Sequence, residues 1–164
     1  MTKLYGLILL ASGASLLVGH LTERKKHRIQ CLQEMIGFLS GVTYGITEWK
    51  QTLEKAILQE KHPGVFPALF QKKFSELNKA LPLRDALCKA LEELPLLTPV
   101  KEALSRYFTV VGKDTKKTTE EHYYHTKRQL EESLTLLQNE LPKTKKLIAV
   151  SVYATCAMAA VLLL

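Results

Sequence analysis

His122 and His125 stand three residues apart beside Glu121, a spacing that brings two imidazoles and a carboxylate near one face of a helix, where a metal could begin to bind. Two side chains do not make a site, and the sequence offers no obvious third ligand, so these are expected to be surface histidines on a polar helix. The paired acids Glu120-Glu121 and Glu131-Glu132 could in principle act as acid and base. Neighbours in sequence point in different directions around a helix, so solvated faces are the expectation. Cys88 has no histidine near it in sequence and falls on an amphipathic stretch, which suits core packing better than nucleophilic chemistry. There is no Gly-rich phosphate loop, no GxSxG and no HExxH. No catalytic residue, metal or cofactor is therefore expected, and the chain reads as a non-enzyme.

The segments that carry these residues are helical by pattern. From Ile29 the apolar positions step by three and four through Leu32, Ile36, Leu39, Thr43, Ile46, Trp49, Leu53 and Ala56. Met35, Phe38 and Val42 form a second stripe, which predicts a helix packed on two sides. Gly37, Gly41 and Gly45 recur every four residues on one face. Each costs about 1 kcal/mol of helix propensity relative to Ala, which close approach of another segment would offset. The alternative is a break near Tyr44-Gly45, with Thr47 capping a second helix.

His62-Pro63-Gly64 predicts a turn. Phe66, Phe70, Phe74, Leu77 and Leu81 follow on one helix, and Pro82 suits the first position of the next, whose stripe is Leu83, Leu87, Leu91 and Leu94. Thr98 is the expected N-cap of a helix carrying Val100, Ala103, Leu104, Tyr107, Phe108 and Val111, with Gly112 as its C-terminal cap. Thr118-x-x-Glu121 fits a capping box, and Tyr123, Leu130, Leu134, Leu137 and Leu141 stripe the helix that follows. Pro142 is expected to mark where the second apolar run begins. No segment alternates with period two, so no sheet is expected. Ten- to thirty-residue helices with short loops predict an all-α antiparallel bundle.

The charge pattern frames that bundle. Residues 4–21 and 147–164 contain no Lys, Arg, Asp or Glu, while every Lys and Arg except Lys3, and all 16 Asp and Glu, lie between them. As a helix each run spans about 27 Å at ~1.5 Å per residue, close to the ~30 Å hydrocarbon core of a bilayer. The expected organisation is a first transmembrane helix at 1–21, a cytoplasmic helical bundle at 22–146 and a second transmembrane helix at 147–164. Arg24, Lys25, Lys26 and Arg28 follow the first run, and Lys143, Lys145 and Lys146 precede the second, against Lys3 alone outside. That asymmetry predicts a cytoplasmic middle. A cleaved signal peptide is the rival reading of the N-terminus, and the basic cluster behind it opposes translocation. Ala11, Ser15 and Gly19, and likewise Ser151, Thr155 and Ala159, put small residues at spacing four, which would let the two helices approach each other or a partner. Cys31, Cys88 and Cys156 show no disulfide pattern. The formal net charge of +7 suits an anionic membrane surface or an acidic partner. No aromatic-interleaved basic patch indicates nucleic acid.

The order of these features resembles one known family. Gly19 closes the first run; Glu23-Arg24, Gln30, Leu32, Leu39, Tyr44-Gly45-Ile46-Thr47, Leu53 and Ala56 follow; Leu104, Phe108 and Gly112 precede a long charged helix and the C-terminal run. Over essentially its whole length the chain resembles stage III sporulation protein AB of endospore-forming bacteria. That family is similar in turn to the cytoplasmic helical domain of the inner-membrane platform proteins of type II secretion and type IV pilus machines. The resemblance implies a platform in the mother-cell membrane around the forespore, part of a channel between the two cells. It implies as partners the stage III sporulation protein AA, a secretion-type ATPase, and other stage III channel proteins, with self-association left open. It points to Glu23, Arg24, Tyr44, Gly45 and Thr47 as partner-binding residues. The alternative function is a membrane-anchored helical scaffold for a different cytoplasmic partner.

Overall fold

The computed structural model describes residues 2–111 and 116–163, without the side chains of residues 2–12, 14–18, 21, 144, 156 and 159–163. Six helices make up the described chain: α1 (Thr2–Thr47), α2 (Leu53–Gln59), α3 (Val65–Leu77), α4 (Leu83–Glu92), α5 (Thr98–Val110) and α6 (Lys116–Leu163). The all-helical expectation holds, with no strand among the described residues. The contacts group the chain into two compact units, Arg28–Thr135 on the one hand and Met1–His27 with Leu136–Leu164 on the other.

In the unit from Arg28 to Thr135, the second stripe of α1, Met35, Phe38 and Val42, is fully buried, and the first is buried at Leu32, Leu39 and Thr43 and half-buried at Ile29, Ile36 and Ile46. Phe70 of α3 lies fully buried where three helices meet. Its ring stands edge-on to Phe38 of α1 at 5.8 Å and nearly parallel to Phe108 of α5 at 5.9 Å. Phe74 is stacked nearly parallel to Phe70 at 6.3 Å. Such pairs add about 0.5–1.5 kcal/mol each beyond the area they bury. Of the expected faces of α4 and α5, Leu87, Leu91, Leu94, Val100, Leu104, Tyr107, Phe108 and Val111 are buried, whereas Leu83, at the start of the α4 stripe, is exposed.

The glycine face of α1 accepts the segment that follows it. A Cβ on Gly37 would strike the His62 ring, and one on Gly41 would strike the Glu60 carboxylate. At Gly45 the nearest atoms would be Gln51 Oε1 at 3.0 Å and Ala56 Cβ at 3.4 Å. Side chains of the returning segment occupy the space the missing side chains leave. Two cross-connections hold that segment in place. The Gln71 amide donates to the Ile57 and Glu60 carbonyls at 2.6 and 2.7 Å, closing the end of α2. Glu34 of α1 accepts the Phe66 N–H at 3.0 Å, serving the start of α3, where Gly64 supplies no side-chain cap.

Several local expectations are corrected. Tyr44-Gly45 is continuous helix, and α1 ends at Thr47. Thr47 does not cap the second helix; its hydroxyl donates back to the Thr43 carbonyl at 3.0 Å, and the cap of α2 is Thr52. Trp49 therefore leaves the heptad stripe and lies 65% exposed. Pro82 and Leu97, not Thr98, take the cap positions of α4 and α5, each one residue from expectation. Because α6 is already helical at Lys116, Thr118 lies inside its first turn instead of capping it. Gly112 lies outside the described residues. Pro142 does not interrupt α6, which continues through it to Leu163. The buried seam of α6 also includes Thr119 and Thr126, which apolar periodicity passes over. A Thr hydroxyl in a helix can satisfy itself on the carbonyl four residues back, so its burial costs little.

In the second unit Lys25 pairs with Glu140 at 3.5 Å, joining α1 and α6. Large apolar side chains on α6 remain exposed there: Leu147, Val150, Tyr153 and Met158. Among the described residues no helix is long and apolar enough to cross a membrane. Only part of each apolar run carries described side chains, in the first Gly13, Gly19 and His20 alone.

The glycine contacts predict opposite outcomes for two similar substitutions. Gly37→Ala should destabilise by about 1–3 kcal/mol, because the half-buried His62 ring must move. Gly45→Ala should be neutral or stabilise by up to about 1 kcal/mol, because only the flexible Gln51 side chain must yield. Thermal melts of the two variants decide it.

Candidate partner-binding surface

The residues expected to bind a partner fall into two groups. Glu23 and Arg24 are exposed on α1 in the unit that contains the apolar runs. Tyr44, Gly45 and Thr47 lie in the last turn of α1, in the other unit. Within that turn they differ. Tyr44 is 54% exposed, Gly45 is buried under Gln51 and Ala56, and Thr47 is half-buried. Gly45 thus shapes the packing, while Tyr44 presents itself to solvent.

Beside Tyr44 stands a residue the sequence reading assigned to the core. The Trp49 ring meets Tyr44 edge-on, with centroids 5.4 Å apart. The pair forms an exposed aromatic patch where α1 ends. Large exposed aromatics of this kind are the side chains that dominate binding energy at interfaces. The signal in sequence was available but ambiguous, since Trp49 fits the heptad phase and only the end of α1 at Thr47 takes it off the stripe.

The end of α1 is held rigid from below. The Thr43 hydroxyl donates to the Leu39 carbonyl at 2.7 Å, so the Tyr107 hydroxyl, 2.6 Å away, donates to Thr43. Both side chains are buried, and this chain of bonds ties α5 to α1 at the residue before Tyr44, one turn before Thr47. Burial pushes the Tyr107 hydroxyl from its ordinary 10.0 up to about 12, and Tyr123 adds to the rise. Burial likewise pushes the Cys31 thiol from 9.0 up to about 12, with the Glu34 charge adding and Lys101 opposing. Cys31 is thus a protonated, inert packing residue. Cys88 is half-buried with its sulfur 3.0 Å from the Ser105 hydroxyl.

Beyond α1 the chain turns through Glu48–Thr52. Lys50 adopts φ 52°, a left-handed conformation unusual outside glycine. The Gln51 N–H bonds the Gly45 carbonyl at 3.1 Å, and Glu48 pairs with Lys116 of α6 at 2.6 Å. Next to this turn lies a groove of about 1000 Å³, floored by Ile46, Leu53, Leu87, Phe108 and Val111. His122 and His125 are exposed, and no cluster of three or more metal-ligating side chains occurs among the described residues.

Against known proteins, the family model of stage III sporulation protein AB matches residues 3–164. No curated protein and no solved structure matches the chain.

The buried hydroxyl and thiol set an alkaline limit. Both groups have folded values raised above their unfolded ones, so their contribution is complete below about pH 9 and is lost as the pH climbs towards 12. The melting temperature should fall across that window. Tyr107→Phe should flatten the fall above pH 10, and Cys31→Ala should flatten its earlier part; melts from pH 8 to 12 measure both.

Proposed function

This chain belongs to the stage III sporulation protein AB family, and from that premise we propose that it is a membrane platform that docks a cytoplasmic secretion-type ATPase and relays its motion to channel components across the membrane. Membership implies a role in sporulation and association with other stage III sporulation proteins. The finer reading names the stage III sporulation protein AA as the ATPase and the mother-cell membrane around the forespore as the site. It also carries the likeness to the platform domains of type II secretion and type IV pilus machines. The role is architectural and not catalytic.

The observation that carries the docking half of this proposal is the exposed Tyr44–Trp49 pair at the end of α1, above a turn held by the buried Thr43–Tyr107 bond. A rigid aromatic patch loses little side-chain entropy on binding and offers a large contact area. The anchoring half is supported by the uncharged runs at 4–21 and 147–164 and by the cations that flank them on the inner side. The exposed Leu147, Val150, Tyr153 and Met158 suit contact with lipid better than contact with water.

Co-isolation from sporulating cells tests the docking. The tagged chain should retain the ATPase, Tyr44→Ala with Trp49→Ala should lower recovery at least tenfold, and Ala at both Glu23 and Arg24 should lower it further. Recovery of a coiled-coil protein in place of the ATPase would favour the scaffold alternative. Normal ATPase recovery by the Glu23/Arg24 variant would remove those two residues from the surface.

Topology is tested by single cysteines in a background lacking Cys31, Cys88 and Cys156. An impermeant maleimide should label intact cells at position 2 and not at the exposed positions 72 and 93. Labelling at either inner position overturns the cytoplasmic placement.

A further inference from the structure

The groove beside the Lys50 turn combines two properties. Its floor is apolar, built from Ile46, Leu53, Leu87, Phe108 and Val111, with Leu83 half open at its edge. Its rim is basic, carrying Lys50, Arg84 and Lys116. Among the described residues that line it, the one acid, Glu54, is already engaged by the Asn78 amide at 2.7 Å. Lys116 is engaged by Glu48, so the two cations free to meet a ligand are Lys50 and Arg84, which form no ion pair among the described residues. Lys50 also has a left-handed backbone, a strained conformation of the kind that gathers at binding sites.

Size narrows the occupant. A helix about 10 Å across rises 5.4 Å per turn, or roughly 420 Å³ per turn. The groove of about 1000 Å³ therefore fits about two turns. Two turns is the length over which a helix presents apolar side chains at i, i+3, i+4 and i+7, the pattern by which amphipathic helices enter apolar grooves. The unpaired cations select the sign of the charge on the helix flanks, and the net charge of +7 steers in the same direction. We propose that this groove binds an acidic amphipathic helix of a partner protein, with its apolar face on Leu83, Leu87 and Phe108 and its carboxylates on Lys50 and Arg84. This refines the docking reading by giving the partner segment its chemistry, and it is tested without the ATPase so that either can fail alone.

The test uses the full-length chain in nanodiscs of neutral phosphatidylcholine and a fluorescein-labelled peptide of about 12 residues, with leucines at i, i+3, i+4 and i+7 and glutamates between. Fluorescence polarisation should show saturable, salt-sensitive binding. Lys50→Glu with Arg84→Glu should weaken it about tenfold or more, as should Leu83→Ser; all three positions are exposed, and melts confirm each fold. Photo-crosslinks from the peptide's apolar positions should fall within 46–53, 83–87 or 108–111. Equal binding of a peptide with the leucines scattered, or with lysines replacing the glutamates, overturns the proposal. So does undiminished binding by the variants, crosslinking elsewhere, or the absence of saturable binding. Displacement of the peptide by phosphatidylserine vesicles would reassign the groove to a membrane surface and overturn it too.

Discussion

Phe70 is the point at which the unit from Arg28 to Thr135 is pinned together. It sits on the short helix α3, yet its ring meets both Phe38 of α1 and Phe108 of α5. Aromatic rings cannot slide past each other without leaving voids, and interiors at crystal-like density do not tolerate voids. The positions of α1 and α5 are thus set through α3. The bond from Tyr107 to Thr43 then fixes the same two helices in register along their length. Every exposed feature discussed for the end of α1 depends on that fixed register.

The glycine face of α1 works with this cluster. Three glycines weaken an isolated helix, so the loss is recovered only where something lies against them. Here the segment from Gln51 to His62 does so, with Glu60 and His62 filling the room beside Gly41 and Gly37. The seated segment brings α2 back along α1 and leads into α3, so the glycines and Phe70 are two parts of one packing solution. Trp49, at the turn that starts this return, is left outside, and that is how an apolar residue in heptad phase becomes a surface aromatic beside Tyr44.

The surfaces proposed for binding are what this packing leaves over. The end of α1 displays an aromatic pair, and the adjacent groove displays an apolar floor with a basic rim. Among titratable groups, the buried Cys31 and Tyr107 are held protonated and support the fold rather than a reaction. A surface of this composition suits association with a protein more than the turnover of a small molecule, in keeping with a family that acts with other stage III sporulation proteins.

The helical class, the stripes of α1, the buried face of α5 and most of that of α4, and the family were legible in the residues alone. The structural features are written in periodicity, which depends only on the 3.6-residue turn and the preference of apolar groups to leave water, while the family is carried by the order of particular residues. The sequence also marked Tyr44-Gly45-Ile46-Thr47 through family pattern, without saying which member faces solvent. The tertiary structure alone decided that Gly45 is buried and Tyr44 is not, that α1 stops at Thr47, and that Thr52 caps the next helix. No proline or glycine stands at residues 46–52 to signal a break. The turn there leads into the segment that packs on the glycine face through Ala56, Glu60 and His62, a contact between segments that local propensity does not encode. The same holds for Lys50 and Arg84. They are 34 positions apart in the chain and unremarkable there, and they become the rim of one groove only because α4 packs where it does.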